Sequence, residues 1–154
     1  MADPLAPEVR SRVMSRVRAK NTRPELRLRR ALWAAGVRGW RCHSSGVTGT
    51  PDLCWKGRKV AVFVDSAWWH GHPSRYTPGR HPERWDRKIQ ANMTRDEAVN
   101  EALETEGWIV VRLWDFELER DLDEAVRRVQ AALIRTHGVK ERREAPRVLG
   151  VDGA

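Results

Sequence analysis

At 154 residues the chain can hold one compact domain with a real core but not two ordinary ones, and a formal net charge of +8 favours a polyanionic partner, either nucleic acid or an anionic membrane face. No apolar run approaches the length of a membrane span, and Met1-Ala2-Asp3-Pro4 lacks the basic and apolar regions of a secretory signal, so a cytoplasmic protein is expected. Cys42 and Cys54 are the only cysteines and stand in no CxxC spacing, which excludes a disulfide framework and a four-cysteine zinc site.

From Glu8 to Lys20, Val9, Val13 and Val17 recur at helical spacing among Arg10, Arg12, Arg16, Arg18 and Lys20, which predicts a basic N-terminal arm or helix over residues 1–20. Thr22-Arg23-Pro24-Glu25 has the form of a capping box with proline near the first turn. It opens a helix through Leu26, Leu28, Leu32 and Trp33 up to Gly36. Arg38 to His43 reads as a strand, Ser44 to Pro51 as a glycine-rich loop, Asp52 to Trp55 as a short strand and Lys56 to Lys59 as a turn. Val60 to Val64 is continuously apolar, the pattern of a central strand covered on both faces. Trp68 to Pro82 is irregular. A long helix is expected from Pro82 to Thr105, with an apolar row Trp85, Ile89, Met93 beside a polar row Lys88, Asn92, Asp96. A strand over Trp108 to Leu113 and an amphipathic helix over Leu122 to Ile134 complete a folded domain at 21–136. Residues 137–154, charged and without apolar periodicity, are expected to be a disordered tail. This order predicts an α/β fold with a mixed central β-sheet flanked by helices.

Chemistry gathers where the apolar strand ends: Val62-Phe63-Val64-Asp65-Ser66-Ala67-Trp68-Trp69-His70-Gly71-His72 sets a carboxylate, two adjacent indoles and two histidines in one stretch. Asp52 begins the preceding strand, and antiparallel pairing across the Lys56–Lys59 turn can bring Asp52 and Asp65 to one edge. Hard cations such as magnesium prefer that oxygen environment, although either acid can also serve as a turn cap or a solvated strand end. His70 has an ordinary pKa near working pH and can take a proton from water or give one to a leaving oxygen. Glu25 has two uses: as the capping-box glutamate it satisfies backbone donors, and as a carboxylate at a helix start it can hold a metal-bound water. Asp96 is equally open between catalysis and an intrahelical ion pair with Arg87, Lys88 or Arg95. His72 reads as a second site residue or a structural one, while His43, His81 and His137 show no partner in sequence and read as ordinary. Trp68 and Trp69 cannot easily enter one packed face together, and an exposed ring can wedge between bases, an unstacking least costly at a mispair.

These residues resemble the very-short-patch repair (Vsr) endonucleases, DNA-nicking enzymes with a restriction-endonuclease-like fold of the PD-(D/E)xK superfamily. The likeness spans about Arg10 to Leu118. It is carried by Arg-Ser-x-x-Met at Arg10 to Met14, Asn-Thr-x-x-Glu at Asn21 to Glu25, Gly-x-Pro-Asp at Gly49 to Asp52 and Phe-Val-Asp-x-x-Trp-Trp-His at Phe63 to His70. Lys-Ile-x-x-Asn-x-x-Arg-Asp at Lys88 to Asp96 and Gly-Trp-x-Val-x-Arg-x-Trp-Asp at Gly107 to Asp115 complete it. Their order and spacing together make the match specific.

The resemblance implies magnesium-dependent cleavage of one strand of double-stranded DNA, 5′ to the thymine of a T:G mispair left by deamination of 5-methylcytosine. It makes Asp52 the principal magnesium ligand with the backbone carbonyl of Val64 beside it, and Asp65 a further candidate. His70, Asp96 and Glu25 would handle the attacking water and the metal's water shell. Met14, Trp68 and Trp69 would form the wedge, with Arg12, Arg16, Lys20 and Asn92 on the DNA. A monomer is expected, with repair proteins as further partners.

Two departures from the family pattern stand out. Where many relatives hold a structural zinc, this chain has Ala67, His72, Ser74 or a neighbour, and Phe116, so no structural zinc is expected and apolar packing is expected in its place. The loop from Ser74 to Arg84 is also so different that no flanking-base preference transfers. The lysine that many related nucleases carry two residues beyond the second acid is missing, because position 67 is alanine, leaving His70 to substitute. Two competing readings remain: a non-catalytic DNA-binding module, and a structure-specific nuclease for junctions or flaps.

Overall fold

The computed structural model describes residues 20–144. Helix α1 (Arg23–Ala34) is followed by strands β1 (Arg41–Cys42), β2 (Leu53–Trp55) and β3 (Val60–Asp65). Helix α2 (Glu83–Thr105) crosses over to β4 (Ile109–Trp114), and α3 (Asp115–Arg120) and α4 (Leu122–Glu144) close the chain. The four strands form one mixed sheet in the order β1-β2-β3-β4, antiparallel across β1, β2 and β3 and parallel between β3 and β4. The sheet flanked by helices is the α/β architecture that the sequence predicts.

Successive side chains point to opposite faces of the sheet, and along β2 and β3 both faces are covered. Val60 and Val62 of β3, with Leu53 and Trp55 of β2, join Leu28 and Leu32 of α1 and Val129 and Leu133 of α4 in the larger core. Ala61 and Phe63, with Cys54, pack on the other face against Leu103 of α2 and Val47. Continuing the same parity, Asp52 and Asp65 lie on the α2 face, as does Arg112, which is registered opposite Phe63. Three charged groups thus emerge on one face beside the apolar residues of β2, β3 and β4, and the polar row of α2 lies across from them.

Four elements differ from expectation. Strand β1 covers only Arg41–Cys42 of the expected Arg38 to His43. The capping box of α1 does not form: Thr22 makes no side-chain cap, and its hydroxyl instead donates to Glu25 Oε1 at 3.1 Å. Glu25 Oε2 accepts the Asn21 backbone N–H at 3.1 Å, and its other partners draw it inward until it is 3 % exposed. Helix α3 was not legible because Asp-Phe-Glu-Leu is too short for a periodic signal, yet Glu117 Oε2 accepts the Trp114 N–H and Asp115 Oδ1 the Phe116 N–H, fixing its first turn. Helix α4 continues to Glu144, past the expected end at Ile134 and into the span expected as a tail; residues 145–154 lie outside the description. The expected basic arm also lies outside it apart from Lys20, which is exposed, so the places of Arg12, Met14 and Arg16 are not described.

Candidate active site

A cleft of about 730 Å³ opens at the end of β3, lined among others by Glu25, Asp52, Val64, Asp65, Trp69, His70, Asp96 and Arg112. The four acids and His70 singled out in the sequence therefore share one cavity. They do so as two groups, each an imidazole among carboxylates: Glu25–His43–Asp52 and Asp65–His70–Asp96, with the polar atoms of each group within 4.8 Å of one another.

In the first group, Asp52 Oδ2 accepts the Val64 backbone N–H at 2.6 Å, which fastens the acid of β2 to the end of β3. Burial pushes the Asp52 carboxyl up to about 7 against the Val64 hydrogen bond, which lowers it, with the charges of Glu25 and Asp65 adding to the rise. His43, expected to be ordinary, is a member of this group: its Nε2 lies 3.2 Å from Glu25 Oε2 and its Nδ1 3.7 Å from Asp52 Oδ1. The one sequence signal for it was position, since β1 runs antiparallel beside β2 and carries residue 43 alongside Asp52, whose carbonyl accepts the His43 N–H at 3.4 Å. Arg29 Nη2 stands 3.1 Å from His43 Nε2 and 3.2 Å from Glu25 Oε2. That ring nitrogen thus meets both a guanidinium that donates and, at 3.2 Å, a carboxylate that accepts, and its own role follows the tautomer. Burial, with Arg29 and Lys20 adding to it, lowers the His43 pKa despite the opposing charge of Glu25.

In the second group His70 Nδ1 is 2.5 Å from Asp96 Oδ2 and 3.7 Å from Asp65 Oδ1. Burial works against the imidazolium here too, but the Asp96 hydrogen bond and the charges of Asp65 and Asp96 outweigh it, and the net shift is upward. Asp65 is 4 % exposed; burial drives its carboxyl up, against His70 and Arg112, which both favour the anion. With Nδ1 committed to Asp96, the other ring nitrogen has no protein partner among the described residues. Asp96 is thus no intrahelical ion pair: Arg87 pairs with Glu83, and Arg95 donates to Asn92.

The loop between β3 and α2 presents the two indoles. Asn92 Nδ2 donates to the Trp69 carbonyl at 2.9 Å, and the Lys88 ammonium lies 4.9 Å from the Trp69 ring centroid, so the row Lys88, Asn92, Asp96 runs beneath Trp69 and His70 as its spacing predicts. Gly71, in the left-handed region at φ 70°, passes so close to Met93 that a Cβ would collide with its sulfur; only glycine lets the loop descend onto α2. Trp68 and Trp69 are both half-buried. Trp68 stands edge-on to His81 at 4.6 Å and to Tyr76 at 6.3 Å, and Trp69 tilts against Trp85 at 5.4 Å. His81, expected to be ordinary, thus supports a wedge candidate.

His72 lies away from the cleft. Its ring meets Trp114 at 4.7 Å and Phe116 at 4.9 Å, its Nδ1 faces Ser74 Oγ at 2.7 Å, and its backbone N–H donates to the carbonyl of the buried Ala67. Asp115 Oδ1 accepts the Ala67 N–H at 3.1 Å and closes the same clasp. Alanine and phenylalanine ligate no metal, so the residues present do not fit a four-coordinate zinc. The cleft does suit a hard divalent cation, because crowded, desolvated carboxylates are the donor set such an ion relieves.

The family model described as DNA mismatch endonuclease Vsr matches residues 2–75. Among curated proteins, the type II nicking enzyme V.XorIIP of Xanthomonas oryzae pv. oryzae is 42 % identical over 77 % of this chain and 88 % of its own length. The type II nicking enzyme V.NmeDIP of Neisseria meningitidis serogroup C is 36 % identical over 90 % of this chain and 95 % of its own. The DNA mismatch endonuclease Vsr of Escherichia coli K12 is 29 % identical over 82 % of this chain and 83 % of its own.

Proposed function

This chain belongs to the Vsr family of DNA endonucleases, and from that membership we propose that it nicks one strand of duplex DNA 5′ to the thymine of a T:G mispair, using magnesium. The observation that carries the reading is the desolvated Asp52, fastened to β3, crowded by Glu25 and Asp65 and opening into the cleft. Asp52 and the Val64 carbonyl would hold the magnesium, with Glu25 at its water shell and Asp65 a further donor. When bound, the ion would neutralise charge on the scissile phosphate and acidify a coordinated water.

The residues themselves divide the remaining work. Asp96 fixes the tautomer and orientation of His70 and leaves its other nitrogen for the proton in transit. Its raised pKa favours imidazolium, the form that protonates a leaving oxygen. Trp69, Trp68 and Met14 would enter the helix at the mispair, where unstacking costs only a few kcal/mol. The charge of +8 supplies phosphate attraction that does not depend on sequence.

The test is cleavage of T:G, T:A and flap duplexes of one sequence, with and without magnesium. Nicking of the T:G strand alone, and only with the divalent ion, is the expected result. Equal cleavage of T:A overturns mismatch selectivity, preference for the flap favours a structure-specific nuclease, and salt-sensitive binding without products favours a non-catalytic module.

A further inference from the structure

Arg112, the arginine of the Gly-Trp-x-Val-x-Arg-x-Trp-Asp motif, has no part in the mechanism so far, yet it is the only lysine or arginine among the described residues paired with either acid of the His70 group. Its Nη1 lies 2.8 Å from Asp65 Oδ2 and 3.6 Å from Asp96 Oδ1, and its Nη2 donates to the Asp96 carbonyl at 3.4 Å. Its Nε donates to Asn100 Oδ1 at 2.8 Å, and the guanidinium carbon rests 4.3 Å from the Phe63 ring centroid. One planar group thus joins the end of β3 to two turns of α2, from a strand position whose parity aims it at them. We propose that Arg112 is a positioning residue of the nicking reaction, its fork holding Asp65 and Asp96 at the separation that sets the His70 ring.

The physical case is one of geometry rather than charge. Position 67 is alanine, so β3 supplies no cation here, and Arg112 reaches in from the neighbouring strand instead. An ammonium in its place could neutralise Asp65, but a single point donor cannot span Asp65, the Asp96 backbone and Asn100 at once. His70 touches both acids, so play between them becomes play in the ring that moves the proton, and misplacement of about 1 Å is enough to slow a positioned reaction by about 10²-fold.

This inference rests on the nicking reading above, and its test has one readout that does not. Because removing a partner of buried Asp65 endangers the fold, the informative variant is Arg112→Lys, with Arg112→Gln, which keeps amide donors toward Asp65, as a second. Both are expected to keep DNA affinity within about threefold and to lose kcat by about 10–100-fold, with KM little changed. Wild-type kcat in folded Arg112→Lys overturns the proposal, as does a loss of kcat, affinity and melting temperature in parallel, which marks a folding role alone. Should the wild-type protein nick nothing, the hydrogen-bonded Nδ1–H resonance of His70, assigned by its absence in His70→Gln, decides. Its loss in folded Arg112→Lys supports the positioning role, and an unchanged resonance overturns it.

Discussion

The two halves of the cleft are made of the same parts and arrive at opposite electrostatics. Each sets a histidine among carboxylates with an arginine against one of them, and in each, burial works against the charged ring. At His43 burial leads, Arg29 and Lys20 add their charges, and the pKa falls although Glu25 faces the same ring nitrogen. At His70 the arginine is spent on Asp65, the ring nitrogen faces Asp96, and the pKa rises. Protonation state follows from which atom meets which donor, and residue composition does not determine it. In the proposed mechanism the halves divide the labour: one would hold a cation and the other would move a proton.

Exchanging an acid in the first half breaks the comparison most severely. Asp52→Asn should lower the nicking rate by about 10³-fold or more, the scale of several kcal/mol of lost charge stabilisation, while duplex affinity stays within about threefold. Single-turnover nicking beside an equilibrium binding titration checks both, and an active variant removes Asp52 from the metal site. The histidines come next. His70→Gln should cost about 10²–10⁴-fold in kcat. His43→Gln should cost only about 10-fold, as for a group that orients ligands from behind. Equal losses would abolish the proposed division.

Stability against pH sharpens the contrast through its sign. His70, raised in the fold, adds stability that is fully present below 6.5 and is lost as pH climbs through its folded value. His43, lowered in the fold, binds its proton less tightly than the unfolded chain does, so its contribution grows as pH rises from its folded value toward 6.5 and is level above it. His43→Gln should therefore change the slope of melting temperature against pH below 6.5 and His70→Gln above it, with opposite signs. Asp52 reinforces the test: held at about 7 against 3.8, it keeps a proton in the fold that the unfolded chain releases, so its contribution declines as pH rises across that interval. In magnesium-free buffer Asp52→Asn should melt above wild type at pH 8 and with it near pH 4. The smallest effect belongs to the clasp that carries the His70 loop. His72→Ala should lower the melting temperature by roughly 2–6 °C, and a zinc chelator should leave it unchanged.

Much of this is legible in the amino-acid sequence. Strict patterns placed β3 as a buried central strand and put Lys88, Asn92 and Asp96 on one face of α2, and the motif Phe-Val-Asp-x-x-Trp-Trp-His marked where chemistry would collect. His43 and Arg112 have no role legible in the sequence, and for one reason: each acts through partners far off along the chain. Arg112 meets Asp65 across 47 residues, and His43 depends on Glu25 and on a sheet neighbour that no local spacing announces. The capping box failed for the complementary reason, since a local rule for Glu25 lost to Arg29 and His43 reaching it from outside the first turn.

By itself, then, the amino-acid order determined the longer elements, their covered faces, the family and the acids at the strand ends, because hydrophobic period and motif spacing act over a few residues. Only the tertiary structure decided that those acids divide into two groups, which imidazole joins each, and which ring is driven toward its charged form. Such choices depend on distances of a few ångströms between groups that meet only when strands register and α2 lies across them, where burial strengthens every charge that remains.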